Sequence, residues 1–490
     1  MYHSIATRRT VEREAPKAAS LPVFKLLALV ACLLVGPAWR LQAAEGRLNV
    51  LFITADDLGL QLGCYGEQRI DTPHIDRLAA QSVLFEVAYV AQASCSPSRS
   101  AMFTGLHTHA TGQYGLTGAG FELHKSLRDK TIPNILKDAG YRTGIIGKLH
   151  VAPESSFRFD DRLKVNTRKV RTVADAAAKF LEKTGDQPFF LMVNYSDPHA
   201  FRLPKDRRKW YFPPQVDGLP KNPVPPSEKT LFAFQGIDTP SQRVRTAGYL
   251  NAVQRLDDGI GMLMDVFARH GHGDDTLVVF IGDHGPPFAR GKTTVYESGI
   301  RIPFLVRWPG VSHPMRSDAM VSTVDILPTI LDATGVEARH TMHGKSLRPV
   351  LSSHNAPWRP YLVAEFHCHG RQPFYPRRAI RDGRYKLIHN LAAGKGKPSP
   401  RIDGDPAYEI SRRPKYDGTD VRKAFDTFAN PPEFELYDLK EDPIEFHNLA
   451  GRPEYREIQR RLTKALFEYR RRTDDPFLDP KTVDRYRKGS

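Results

Sequence analysis

Cysteine is scarce in this chain: four in 490 residues, one of them inside an apolar run near the N terminus. The other three, Cys64, Cys95 and Cys368, cannot all pair among themselves. That excludes a disulfide-stapled scaffold and leaves at least one thiol single. Long apolar runs are missing too. The run Leu26 to Gly36 is too short to cross a bilayer comfortably, so no stable membrane span is expected. There is no low-complexity tract and no internal repeat. Acidic side chains are the minority, 55 Asp and Glu against 71 Lys and Arg, a formal charge of +16. Such a field favours acidic partners. The basic residues are dispersed and no compact nucleic-acid motif is present, so a polyanionic substrate is a better match than nucleic acid.

Residues 1–44 read as a leader outside the fold. Arg8, Arg9 and Lys25 precede the apolar run, and "LQAAEG" supplies small residues for cleavage near Ala43 or Ala44, the layout of a signal peptide. An exported protein is expected, periplasmic or secreted in a bacterium, with lipid anchoring at Cys32 in "LVAC" as the alternative. The only glycosylation sequon, "NYS" at Asn194, abuts a strand-like run, which favours a bacterial envelope over a glycosylating route. A chain of 490 residues is too long for one small core, so two or more lobes are expected.

Four apolar runs end in reactive residues. "LNVLFITADDLG" stops at Asp56 and Asp57, "YRTGIIGKLH" at Lys148 and His150, "PFFLMVNYSDPH" at Asp197 and His199, and "DTLVVFIGDHG" at Asp283 and His284. Runs apolar on both faces, separated by helical patterns such as "VADAAAKFLEKTG" and "YLNAVQRLDDGIGMLMDVFARHG", predict a mainly parallel α/β sheet. Such sheets bind ligands at the carboxyl ends of their strands. Asp56, Asp57 and Asp283 meeting in one crevice would repel unless a cation held them, and oxygen donors suit Ca²⁺ or Mg²⁺. Lys148, His150, His199 and Lys292 add positive charge and proton donors.

"SCSPSRSAMFTGLHTH" places Cys95 beside Ser96 and Pro97, read as an N-cap and a first-turn proline, so a helix is predicted just after Cys95. A helix N-terminus with Arg99 in its first turn suits a tetrahedral oxyanion; a buried structural cysteine is the plainer alternative for Cys95.

"CSPSRSAMFTG" fits the signature C-x-P-S-R-x-x-x-x-T-G, and with "ADD", "GKLH", "DPH", "GDHG" and "GK" the chain resembles the sulfatase family along nearly its whole length after the leader. The resemblance implies an alkaline-phosphatase-like fold. Residues 45–355 would form a large α/β domain with a mainly parallel sheet flanked by helices. Residues 356–490 would form a smaller domain with an antiparallel sheet, carrying "RAIRDGRYKLIHNL" and "FELYDLKEDPIEFHNLA", with a loop around 393–404. It further implies that a maturation enzyme oxidises Cys95 to formylglycine. Asp56, Asp57, Asp283, His284 and the converted Cys95 would hold one divalent cation, calcium by resemblance and magnesium as the alternative. In the implied reaction a hydroxyl of the hydrated aldehyde attacks sulfur, with Asp283 assisting. Arg99, Lys148 and Lys292 neutralise the sulfate oxygens, His199 protonates the leaving group, and His150 takes the proton that expels sulfate.

"GIIGKLHVAPE", "GPPFARGKTTVY" and "YPRRAIRDGRYKLIHNL" resemble the N-sulfoglucosamine sulfohydrolase branch. That implies heparan sulfate or heparin saccharides as substrate, with His369 and Arg378 near the substrate mouth. His284 and Lys292 depart from the branch, which usually has asparagine and arginine there. An O-sulfatase, a phosphate or phosphonate ester hydrolase of the same superfamily, and a non-catalytic polyanion-binding relative are the competing readings.

Overall fold

A computed structural model describes residues 47–203 and 206–488. The leader and Cys32 lie outside the described residues. Twelve strands build two sheets: β1 (Asn49–Ala55), β2 (Val83–Phe85), β3 (Arg142–Gly147), β4 (Asp161–Leu163), β5 (Phe189–Tyr195), β6 (Thr276–Gly282), β7 (Phe304–Arg307) and β8 (Met315–Ser317) in the first, and β9 (Leu362–Phe366), β10 (Arg377–Arg381), β11 (Tyr385–Asn390) and β12 (Phe434–Asp438) in the second. The first sheet runs β8-β2-β7-β6-β1-β5-β3-β4. Its centre, β6-β1-β5-β3, is parallel throughout, and β7 is antiparallel to both its neighbours.

Alternation along the central strands sends side chains into two separate cores. Val50, Phe52, Phe190, Met192, Val279 and Ile281 face one way, while Leu51, Ile53, Leu191, Val193, Val278 and Phe280 face the other. Both faces are buried, which is why these strands read as unbroken apolar runs. On the first face lie α1 (Cys95–Thr104) and α4 (Ile326–Thr334), through residues such as Met102, Phe103, Leu327 and Ile330. On the other lie α2 (Val170–Leu181) and the thirty-residue α3 (Pro240–Arg269), through Val173, Phe180, Leu250, Leu256 and Leu263.

The second sheet is antiparallel and follows chain order, β9-β10-β11-β12. Val363, Ile380, Leu387 and Leu436 on one face pack against Leu462 and Leu466 of α5 (Arg456–Arg472). From Leu48 onward the chain forms one compact unit. The second sheet is tied to the stretch before α1, where Glu365 N donates to the Ala91 carbonyl at 2.8 Å. Among the described residues no helix is long and apolar enough to cross a membrane.

Candidate active site

The four strands that end in reactive residues are neighbours in the sheet, and their ends are level. Ala55 pairs with Tyr195 on one side and Gly282 on the other, and Gly147 pairs with Asn194. Parallel pairing in this register brings Asp56, Asp57, Lys148, His199, Asp283 and His284 to one edge of the sheet. Two glycines let the chain turn tightly around the Asp283–His284 pair. A Cβ on Gly282 would stand 2.2 Å from the Leu58 carbonyl oxygen, and one on Gly285 would stand 1.9 Å from that of Ser298.

Helix α1 delivers the cysteine. Its N-cap lies two residues earlier than predicted, at Ser94 rather than Ser96, with Cys95 as its first residue. Ser94 has the extended backbone of an N-cap, but its hydroxyl lies 2.8 Å from His369 Nδ1 and makes no capping bond. Cys95 is buried, with Sγ 3.4 Å from His284 Nε2.

Around it charges alternate. Lys148 Nζ donates to both oxygens of Asp56 at 2.7 and 3.0 Å. Arg99 donates through Nε to Asp283 Oδ2 at 3.1 Å and through Nη1 to Asn194 Oδ1 at 2.6 Å. Lys292 Nζ donates to Asp57 Oδ1 at 2.9 Å and to Asp403 Oδ2 at 3.1 Å. His199 Nε2 stands 3.8 Å from Asp57 Oδ2. Several of these residues adopt left-handed backbone: Asp57 (φ 67°), His150 (φ 57°) and Asp403 (φ 43°). Non-glycine residues there cost energy that the surrounding structure must offset, a pattern common at functional sites.

Burial and charge shape the protonation states. Burial raises the Asp56 carboxyl, but Lys148, His199 and Arg99 outweigh it and hold the group well below the usual carboxylate range. Burial, with Asp56 close by, pushes Asp283 up to about 7. Burial disfavours the Lys292 ammonium, yet Asp403 and Asp57 keep it protonated well above the ordinary lysine range. For Cys95 burial is likewise overruled, by Lys148 and Lys292, which draw the thiol well below its usual value. Burial lowers His150 and so favours a neutral ring; its Nδ1 is buried with no hydrogen-bond partner.

The donor set could hold a divalent cation. Ligand atoms of Asp56, Cys95, Asp283 and His284 lie within 4.8 Å of one another, as do those of Asp57, Cys95 and His199. Asp57 Oδ2 is buried with no hydrogen bond, an orphaned acceptor beside its crowded neighbours. A cation there would satisfy that oxygen and relieve the repulsion between Asp56 and Asp283.

The structure thus gathers Asp56, Asp57, Cys95, Arg99, Lys148, His199, Asp283, His284 and Lys292. His150 sits beside them on the turn after β3, and His369 approaches through Ser94. It does not bring in Arg378. That side chain is 1% exposed and is committed to Asp475, at 2.8 and 2.9 Å, with Glu365 at 3.3 Å. Its place in β10 turns it into the interior of the second sheet, so the expected role at the substrate mouth is corrected to a structural ion pair.

Two residues escaped the sequence reading. Asn194 accepts from Thr54 Oγ1 as well as from Arg99, both at 2.6 Å, and is fully buried, so its sequon is structural. A polar residue inside the apolar run "FFLMVNY" was its signal. Asp403 comes from the loop around 393–404, where only the paired acids of "IDGDP" within a basic stretch mark it. His369 and Asp403 both line a cleft of about 570 Å³ that also includes Arg202, Trp210, Arg371 and Arg401.

The chain matches the family described as Sulfatase over residues 48–336, and that described as N-sulphoglucosamine sulphohydrolase, C-terminal, over residues 282–397. It belongs to the sulfatase family of hydrolases. Within that family it is 33% identical over 469 residues to the N-sulphoglucosamine sulphohydrolase of Homo sapiens, covering 88% of this chain and 91% of the relative. To an ulvan-active sulfatase of Formosa agariphila it is 29% identical over 454 residues, covering 88% and 82%. One solved structure, in complex with its substrate D-glucosamine-2-N,6-O-disulfate, gives a TM-score of 0.64 at 23% identity, covering 88% of this chain and 98% of that one. The phosphonate monoester hydrolase of Agrobacterium radiobacter gives 0.63 at 19% identity, covering 87% and 96%. At these identities the structural likeness concerns the fold, which serves more than one chemistry.

Proposed function

We propose that this protein, exported from a bacterium, hydrolyses the N-sulfo group of glucosamine in heparan sulfate or heparin saccharides. Sulfamate and water become sulfate and a free amine. The observation that carries the reading is the match over residues 282–397, which spans the Asp283–His284 pair, Lys292 and His369. Arg202 and Arg371 in the cleft offer guanidinium donors to the acidic groups of a polyanionic glycan.

Cys95, converted to formylglycine by a maturation enzyme, would supply the nucleophile as a hydrated aldehyde. A calcium ion held by Asp56, Asp57, Asp283 and His284 would supply Lewis-acid polarisation. The chain's own residues do the rest. Lys148 and Lys292, held by Asp56 and Asp57, present fixed positive charge to the sulfate oxygens, the preorganised stabilisation that dominates such transfers. Arg99 is fully buried behind them and fixes Asp283 and Asn194. His199, half-buried at the cleft side of Asp57, donates a proton to the departing nitrogen. His150, held neutral by burial, accepts the proton that accompanies sulfate release.

N-sulfated, 2-O-sulfated and 6-O-sulfated heparin disaccharides offered side by side test the reading by sulfate release, with mass spectrometry of the Cys95 peptide in parallel. N-sulfo loss with a formylglycine-bearing peptide is expected. Loss of an O-sulfate alone would replace it with the second reading, an O-sulfatase, which the likeness to an ulvan-active sulfatase favours. Turnover by protein carrying only an unmodified thiol would refute the proposed nucleophile.

A further inference from the structure

Lys292 is held between two carboxylates, and only Asp57 belongs to the set of strand ends. The other, Asp403, arrives from the C-terminal part of the chain on a loop fixed independently of its own side chain. Arg245 Nη2 donates to the Asp403 carbonyl at 2.9 Å. Two residues on, buried Asp405 accepts from Gln235 Nε2 and the Ala289 amide, both at 2.6 Å, and from Gln242 Nε2 at 2.8 Å. So anchored, Asp403 takes a left-handed backbone, with Gly404 beside it at φ 72°. Its Oδ2 meets Lys292, whereas Oδ1 makes no hydrogen bond among the described residues. The other two carboxylates lining the cleft are committed, Asp405 to the loop anchor and Glu409 to Arg401 at 2.5 Å. Asp403 is the cleft carboxylate joined to the strand-end cluster, through Lys292, and it shares the cleft with His369 and with Trp210, whose ring centroid lies 5.8 Å from that of His199.

Resting on the N-sulfo reading above, we infer that Asp403 is a specificity-determining residue that selects a nitrogen leaving group over an oxygen one. When the S–N bond breaks, its electron pair goes to nitrogen. One proton from His199 and a second from solvent turn that nitrogen into ammonium. An O-sulfate leaves as a neutral hydroxyl. A carboxylate beside the leaving-group acid attracts the first product and gives nothing comparable to the second. Asp57, although 3.8 Å from His199 Nε2, does not line the cleft and is turned to His284 and the cation position.

Asp403→Asn tests this through a ratio of substrates on one protein, so a general loss from misplacing Lys292 cancels. Its kcat/KM on an N-sulfoglucosamine disaccharide should fall roughly tenfold or more beyond its fall on an activated aryl sulfate. Glucosamine should inhibit aryl sulfate hydrolysis by the wild type more strongly than N-acetylglucosamine does. That preference should vanish in Asp403→Asn, while inhibition by inorganic sulfate stays. Asp403→Glu, which keeps the charge, should recover most of the ratio. Equal losses on both substrates, or an unchanged preference for glucosamine, would overturn the inference and leave Asp403 as a support for Lys292 alone. A wild type that releases no N-linked sulfate would overturn the functional proposal itself, a result visible before any variant is made.

Discussion

His199 shows how far a single side chain can be read. Its ring stands at the rim of a buried cluster, Nδ1 2.7 Å from the Ala200 carbonyl and Nε2 toward Asp57. A proton on Nδ1 satisfies that carbonyl and leaves Nε2 as the exchanging nitrogen. His199→Ala should therefore slow N-sulfo and alkyl sulfate hydrolysis by about 10²–10⁴-fold. Activated aryl sulfates, whose leaving groups need no proton, should be nearly spared. Kinetics on the two substrate types check this, and equal losses would remove His199 from the acid role. The legible residues each had a cue in the sequence: Asp56, Asp57, Lys148, His150, His199, Asp283 and His284 follow an apolar run within four positions of its strand end, and Cys95 and Arg99 stand in the helix-start signature. Asn194 and Asp403 lacked that cue. One is hidden inside a strand, and the other reaches the site from more than a hundred residues beyond Lys292.

At the scale of elements, the loop carrying Asp403 is a separate part docked onto the strand-end cluster, and Asp405 is its anchor. Asp405→Ala would strip acceptors from Gln235, Gln242 and the Ala289 amide, all buried. Leaving such donors unpaired costs about 1–3 kcal/mol each. We expect a loss of roughly 3 kcal/mol or more in unfolding free energy, together with a lower kcat/KM on every substrate because Lys292 loses a support. Denaturant unfolding and steady-state kinetics on the same protein check both halves. Unchanged stability would mean that the loop is held elsewhere. The helix predicted just after Cys95 is present with its N-cap shifted by two residues. Serine flanks the cysteine on both sides, and only the third dimension shows that the Ser94 hydroxyl is taken by His369.

At the scale of the whole molecule, a buried ion network joins the second sheet to the chain beyond α5. Arg378 of β10 and Arg470 of α5 converge on Asp475, which also accepts from the Phe477 amide at 3.0 Å. Burial raises the Asp475 carboxyl, but Arg378 overrides it and holds the group far below the ordinary range. A carboxyl whose folded value lies below its unfolded value of about 3.9 contributes stability that is complete above that value. The contribution is lost as pH falls through the folded value. Asp475→Asn, which strips the shared carboxylate from two buried guanidinium groups and leaves Arg378 with Glu365 alone, should cost about 3 kcal/mol at pH 7. The gap to wild type should narrow below about pH 4, where the wild-type carboxyl begins to lose its advantage. Thermal unfolding of both proteins at pH 7 and pH 3 checks the magnitude and the sign.

The sequence by itself determined the parallel core and most of the site. Strands buried on both faces must be apolar throughout, so the charged residues that end them stand out, and a sheet of such strands can present those ends only along one edge. The α1 signature marked the cysteine in the same way. Only the tertiary structure decided that β6, β1, β5 and β3 are adjacent and level, since strand order depends on packing across long separations rather than on local pattern. It also decided between Asp403 and Arg378. Both are charged residues of the C-terminal part, and nothing local separates them. One is carried to Lys292 by a loop anchored through Asp405, whereas the other is turned inward by the pleat of β10 and neutralised by Asp475.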